Sequence, residues 1–129
     1  MNTEPREAIQ RAAVDYFEGW YQADPERMAR ALHPALVKRA VNRGPDGQLI
    51  LGATRTAAEM VDLTRAGGGS DVPGPYDTRL TVDHVADGIA TVSAASGPYR
   101  EFLHIVHTPD GWRIVNVLWM WADGHGPRA

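Results

Sequence analysis

The sequence predicts an α+β fold in which helices cover a curved, largely antiparallel sheet. Three observations predict it. Helical apolar spacing is confined to the first half of the chain, and the second half reads as four consecutive strands. Tight turns such as Asp87-Gly88 and Pro109-Asp110-Gly111, rather than helices, connect those strands. Elements segregated in this way give antiparallel sheets, whereas alternating strands and helices give parallel ones.

Ile9, Ala13, Tyr16, Phe17 and Trp20 form one apolar stripe and predict a helix over residues 6–22. Asp24-Pro25 starts a second, short helix, with an N-cap oxygen followed by a proline that has no N–H to lose. Its buried side is Met28, Ala29 and Leu32, and His33-Pro34 ends it. A strand is expected from Leu36 to Val41, then a Gly44-Pro45-Asp46-Gly47 turn and a short strand from Gln48 to Leu51. Thr56-Ala57-Ala58-Glu59 is a capping-box pattern and opens a third helix, with Ala57, Met60, Val61 and Thr64 inward. Residues 67–75, GGGSDVPGP, read as a flexible loop. Strands are then expected at Tyr76–Ala86, Ile89–Ser96, Tyr99–Thr108 and Trp112–Trp121. Residues 123–129 read as a tail.

The 129 residues suit one domain spanning the chain, large enough for a single core with a small cavity. A net charge of −3 without a basic run argues against a nucleic-acid partner. No cysteine is present, which removes disulfides and thiolate chemistry. No apolar run approaches the ~20 residues of a membrane span, and the first residues lack a signal-peptide core, so a cytoplasmic protein is expected. The histidines are scattered without metal-ligand spacing, and no cofactor motif is visible.

The element order, together with Tyr16 to Arg39, Phe102-Leu-His-Ile-Val106 and Asp110 to Trp119, resembles the nuclear-transport-factor-2-like superfamily. Within it, these segments are most similar to the putative lumazine-binding branch. The resemblance implies a cone of three N-terminal helices on a curved antiparallel or mixed sheet. It also implies a small organic ligand in the interior and a homodimer formed through one sheet face. Because the superfamily hosts isomerases, dehydratases, cyclases and accessory domains, the fold alone does not name a reaction.

Strand parity can be read from the residues. A two-residue Pro109-Asp110 connection sets Thr108 opposite Gly111. Glu101, Leu103 and Ile105 then share a face with Ile114, Asn116, Leu118 and Met120, and the other face carries Phe102, His104, Trp119 and Trp121. A slip of one residue would reverse the assignment. By the resemblance, the Glu101/Asn116 face lines the cavity and the Trp119/Trp121 face meets a partner subunit.

Candidate acid–base groups are Tyr16, His33 and Glu101. Tyr16 falls near the helix position from which ketosteroid isomerases, by resemblance, offer a phenol to a substrate oxygen; a core tyrosine bonded to backbone is the alternative. Glu101 would have a raised pKa in an apolar pocket, or would sit exposed at the strand end beside Gly97-Pro98. His33 is either a proton shuttle or a helix-terminating residue. The isomerases' basic carboxylate has no counterpart in Val37-Lys38-Arg39-Ala40-Val41. Lys38 or Arg39 would instead hold an anionic or carbonyl-bearing ligand, or both would be solvated. Trp20, Lys38, Met60, Leu103, Asn116 and Leu118 complete the expected pocket. His104 reads as a core or interface residue, and His84, His107 and His125 as exposed or terminal.

The expected function is binding of an aromatic or polycyclic molecule in an apolar interior pocket. Cofactor-independent isomerisation, dehydration or cyclisation follows if the acid–base groups converge. A non-catalytic dimeric accessory or ligand-carrier domain is the alternative.

Overall fold

A computed structural model describes residues 4–72, 74 and 76–122; the tail at 123–129, with His125, lies outside the described residues. The chain runs α1 (Glu4–Gln22), α2 (Pro25–Ala31), β1 (Leu32–Arg43), β2 (Leu49–Arg55), α3 (Ala57–Arg65), β3 (Thr78–Ala86), β4 (Ile89–Ser96), β5 (Tyr99–Thr108) and β6 (Gly111–Trp121). The sheet order is β2-β1-β6-β5-β4-β3. Every pairing is antiparallel except β1 with β6, so the sheet is mixed, as the α+β expectation allowed.

Ile9, Ala13, Tyr16 and Phe17 are buried, as the stripe on α1 requires. Asp24 caps α2 by accepting from the Arg27 N–H at 3.1 Å, and Pro25 opens the helix. Arg27 and Arg30 both reach Asp15 of α1, which fixes the angle between the two helices. On α2, Met28 and Ala31 are buried and Ala29 is exposed, contrary to the expected side. The helix ends before His33-Pro34, because β1 begins already at Leu32. The Thr56–Glu59 capping box of α3 is formed in both directions, at 3.1 and 2.9 Å. It leaves β2 free to run up to Arg55, longer than the sequence suggests.

Residues 67–72 turn back over α1. A Cβ on Gly69 would meet the carbonyl oxygen and ring of Trp20, and one on Gly68 would meet the same ring. Only glycine permits so close an approach.

The Asp87-Gly88 and Pro109-Asp110 turns pair Ala86 with Ile89 and Thr108 with Gly111, as expected. Cross-strand parity also holds as far as Ile105 opposite Ile114. Val115 is then an extra residue on β6, so that His104 faces Asn116 and Leu103 faces Val117. This bulge reverses every later side chain of β6. Val117, Trp119 and Trp121 point to the helix-covered side, while Asn116 and Leu118 lie outside, Leu118 being 44% exposed. The assignment of Asn116 and Leu118 to the pocket, and of Trp119 and Trp121 to a subunit contact, is therefore corrected.

Candidate functional site

Helix spacing, strand parity and the bulge bring α1, β1, β5 and β6 together around one hollow. The cavity has a volume of about 260 Å³ and lies between α1, α3 and the concave face of the sheet. Trp20, Met60, Tyr99, Trp119 and Trp121 stand in its apolar wall. Its polar groups are Lys38, Tyr16, Glu101 and Arg55. A mostly apolar hollow with a few convergent polar groups is the usual composition of a small-molecule site.

Tyr16, Lys38 and Glu101 meet in one hydrogen-bonded chain. Lys38 Nζ donates to Tyr16 Oη at 2.6 Å, and Tyr16 Oη donates to Glu101 Oε1 at 2.7 Å. All three residues are buried, Lys38 at 8%, Tyr16 at 2% and Glu101 at 3% exposure. Tyr16 reaches the pair because it lies on the buried stripe of α1, over the centre of the sheet. Glu101 is on the concave side of β5, and Lys38 opposes Val117 of the neighbouring β6 on that same side. Among the described residues the bond to Tyr16 is the sole hydrogen bond of the Lys38 ammonium. Instead, Nζ stands 5.1 Å from the ring centres of Tyr16 and Trp119 and 5.8 Å from that of Trp20. Ring faces attract a cation in this arrangement.

Burial and charge act on the same groups. Burial, reinforced by the nearby Glu101 carboxylate, pushes the Tyr16 phenol well above its ordinary range. Burial lowers Lys38, with Arg55 adding to the effect and Glu101 opposing it. Desolvation is the largest of these causes and the net direction for Lys38 is downward. Tyr99 is raised, chiefly by burial, although the Trp20 indole donates to its hydroxyl at 3.0 Å. A phenol held between an amine and a carboxylate can pass a proton either way by rotating one O–H bond.

Of the residues expected from sequence, Tyr16, Trp20, Lys38, Met60 and Glu101 all border the cavity. Leu103 is fully buried in the core beside it without lining it. His33 is elsewhere: it lies at the start of β1, where its Nδ1 accepts from the Ala35 N–H at 2.9 Å, a local structural role. Lys38 is buried rather than solvated, and Arg39, one residue on, is exposed. His104 is exposed on the convex face, 3.4 Å from the Asn116 amide, not buried in a core. Sequence reasoning missed Arg55, Tyr99, Trp119 and Trp121 as wall residues. No local motif marks these four, whereas Lys38, which was expected, is also the only lysine among the 13 basic residues. Among the described residues no three His, Asp or Glu side chains converge on a metal-binding arrangement, and no helix is long and apolar enough to cross a membrane.

A comparison with curated proteins finds none that matches. Solved structures share the fold over nearly the whole chain. An NTF-2 like protein of unknown function from Silicibacter pomeroyi is 15% identical, with a TM-score of 0.73 over 95% of this chain and 100% of its own. A ketosteroid isomerase-like protein from Erwinia carotovora is 14% identical, with a TM-score of 0.68 over 95% and 99%. An NTF2-like protein with a cystatin-like fold from Novosphingobium aromaticivorans is 19% identical, with a TM-score of 0.65 over 95% and 84%. At these identities the likeness is one of fold. The three helices and mixed six-stranded sheet thus form an NTF2-like fold, and since residues 4–120 match the family described as "Putative lumazine-binding", the chain belongs to that family.

Proposed function

We propose that the cavity binds a small planar aromatic molecule and that Tyr16 and Glu101 perform cofactor-independent acid–base chemistry on it. The observation that carries this reading is the buried Lys38–Tyr16–Glu101 chain set into an aromatic wall. Glu101 is the base, Tyr16 donates a hydrogen bond to charge developing on the substrate oxygen, and Lys38 holds the pair in register. Isomerisation, dehydration and cyclisation all need this combination of a positioned base and an oxyanion donor. His33 has no part in it. The family description supports a bicyclic ligand of roughly lumazine's shape. The protein works as a homodimer through the convex face, where Phe102 and Leu118 are exposed.

Binding is tested by titrating the tryptophan fluorescence with lumazine and with 2-tetralone, a bicyclic ketone. Either probe in the cavity should quench emission, because three tryptophans line it. Chemistry is tested by following deuterium exchange at the acidic C–H positions of 2-tetralone. Wild-type protein should accelerate exchange, and Glu101→Gln and Tyr16→Phe should each slow it by roughly a hundredfold or more. Quenching without exchange would leave a ligand carrier, and neither effect would remove the reading altogether.

A further inference from the structure

We infer that Lys38 is a covalent capture point, at which the cavity takes carbonyl compounds as an imine on Nζ. This rests on the cavity being a ligand site and goes beyond it by naming the substrate class and the bond formed. Three independent observations carry it. The chain places arginine at twelve of its thirteen basic positions and lysine at one, and that one is the buried cation in the cavity wall. Arginine stays protonated in any protein environment, whereas a desolvated lysine can release its proton and act as a nucleophile. Among the described residues the ammonium makes a single hydrogen bond and has no ion pair within 4.0 Å, which leaves two of its three donors uncommitted there.

The third observation is the route for the proton. Lys38 donates to Tyr16 and Tyr16 to Glu101, so a concerted shift along the two bonds yields a neutral amine and a protonated carboxyl, and the phenol is restored. Two buried charges disappear in that shift, which burial favours. The amine then adds to the carbonyl carbon, giving a carbinolamine. The proton held by Glu101 returns through Tyr16 to the carbinolamine oxygen, which leaves as water. In balance, an ammonium and an aldehyde or ketone give an iminium and one water, with the carboxylate and the phenol unchanged. The ring faces that attracted the ammonium at 5.1–5.8 Å also stabilise the iminium cation.

The experiment uses 2-naphthaldehyde and its unreactive alcohol, 2-naphthylmethanol, on the intact protein near neutral pH. Fluorescence quenching reports binding of both. Sodium cyanoborohydride then traps any imine as a secondary amine, adding the mass of the aldehyde less one oxygen. One adduct per chain is expected, mapped to the peptide containing Lys38. The sole competing site is the chain's α-amino group, which peptide mapping separates. Lys38→Arg should abolish the Lys38 adduct, and Tyr16→Phe should slow trapping. The wild-type map decides the matter even if a variant fails to fold. Quenching by both probes without an adduct at Lys38 overturns the inference and leaves the cavity reading standing. No quenching by either probe overturns both.

Discussion

The contribution of Tyr16 depends on what stands on either side of it. Its hydroxyl separates a buried cation from a buried anion and gives each a hydrogen bond, which lowers the penalty for burying polar groups in an apolar wall. Among the described residues no buried side-chain nitrogen or oxygen lacks a partner. The pH dependence of stability follows from the same groups. Tyr16 and Tyr99 are raised, and burial lifts Tyr21 to about 12, while an unfolded tyrosine ionises near ~10. Between those values the native state keeps protons that the unfolded chain has lost, so stability should fall as pH rises from ~10 towards ~12. Lys38 acts in the opposite sense. Its pKa is lowered, so below ~10.4 the unfolded chain binds a proton that the native state holds less well, and stability gains as pH rises to that value. Denaturant unfolding across this range should therefore show a late alkaline loss, with phenolate absorbance appearing above the ordinary tyrosine range. Lys38→Met should remove the gain below ~10.4 and keep the loss. Normal phenol titration in the folded protein would contradict the burial of these rings. Helix spacing alone was enough to put Tyr16 and Trp20 on one apolar stripe, whereas strand alternation only grouped Glu101 with Leu103 and Ile105, and the resemblance chose that face as the inner one. Their mutual hydrogen bonds were not legible, because those depend on how far α1 sits above β5.

Among the elements, β6 is where reading and structure part. Its sequence, GWRIVNVLWMW, is apolar on both faces, so alternation gives no preference for either register. Neither glycine nor proline marks Val115 as a bulge, and only the pairing of His104 with Asn116 reveals it. By contrast, the capping box of α3 and the Asp24-Pro25 start of α2 were legible, because each is a local bond between residues three apart. The glycine run after α3 was legible as irregular chain but not as a wall pressed on Trp20. Gly69→Ala tests that contact. Its new methyl would collide with backbone and ring of Trp20, so either the turn or α1 must shift, at a cost of roughly 1–3 kcal/mol. Gly47→Ala is the comparison: its positive φ of 85° imposes strain, but nothing lies within 4 Å of the added carbon. Gly69→Ala should lower the denaturation midpoint and change tryptophan emission, whereas Gly47→Ala should leave emission as it is. Unchanged emission in Gly69→Ala would mean that the loop does not rest on Trp20.

For the whole molecule, the reversal of β6 changes which face a partner would meet. The concave face spends its aromatic residues on the cavity, which leaves the convex face with Val37 at 41%, Phe102 at 61% and Leu118 at 44% exposure. Phe102 and Leu118 are directly paired across β5 and β6, and Val37 of β1, two residues before Leu118's partner Arg39, lies diagonal to Leu118, so the three apolar groups form a patch near the sheet centre. A contiguous patch of this kind on a small domain is uncommon unless something covers it. A second copy related by a two-fold axis would bring the patch onto itself, and His104 and Asn116 would lie within the same contact. Phe102→Asp and Leu118→Asp should each convert a dimer into a monomer, because each would bury a carboxylate opposite its own image. Light scattering after size exclusion measures that directly. Because these side chains point away from the cavity, both variants should still quench with lumazine as the wild type does. A wild-type monomer, or a dimer indifferent to both substitutions, would place the subunit contact elsewhere or remove it. A variant that loses dimerisation and ligand binding together would show instead that the curvature of the sheet, and with it the hollow, depends on the partner subunit.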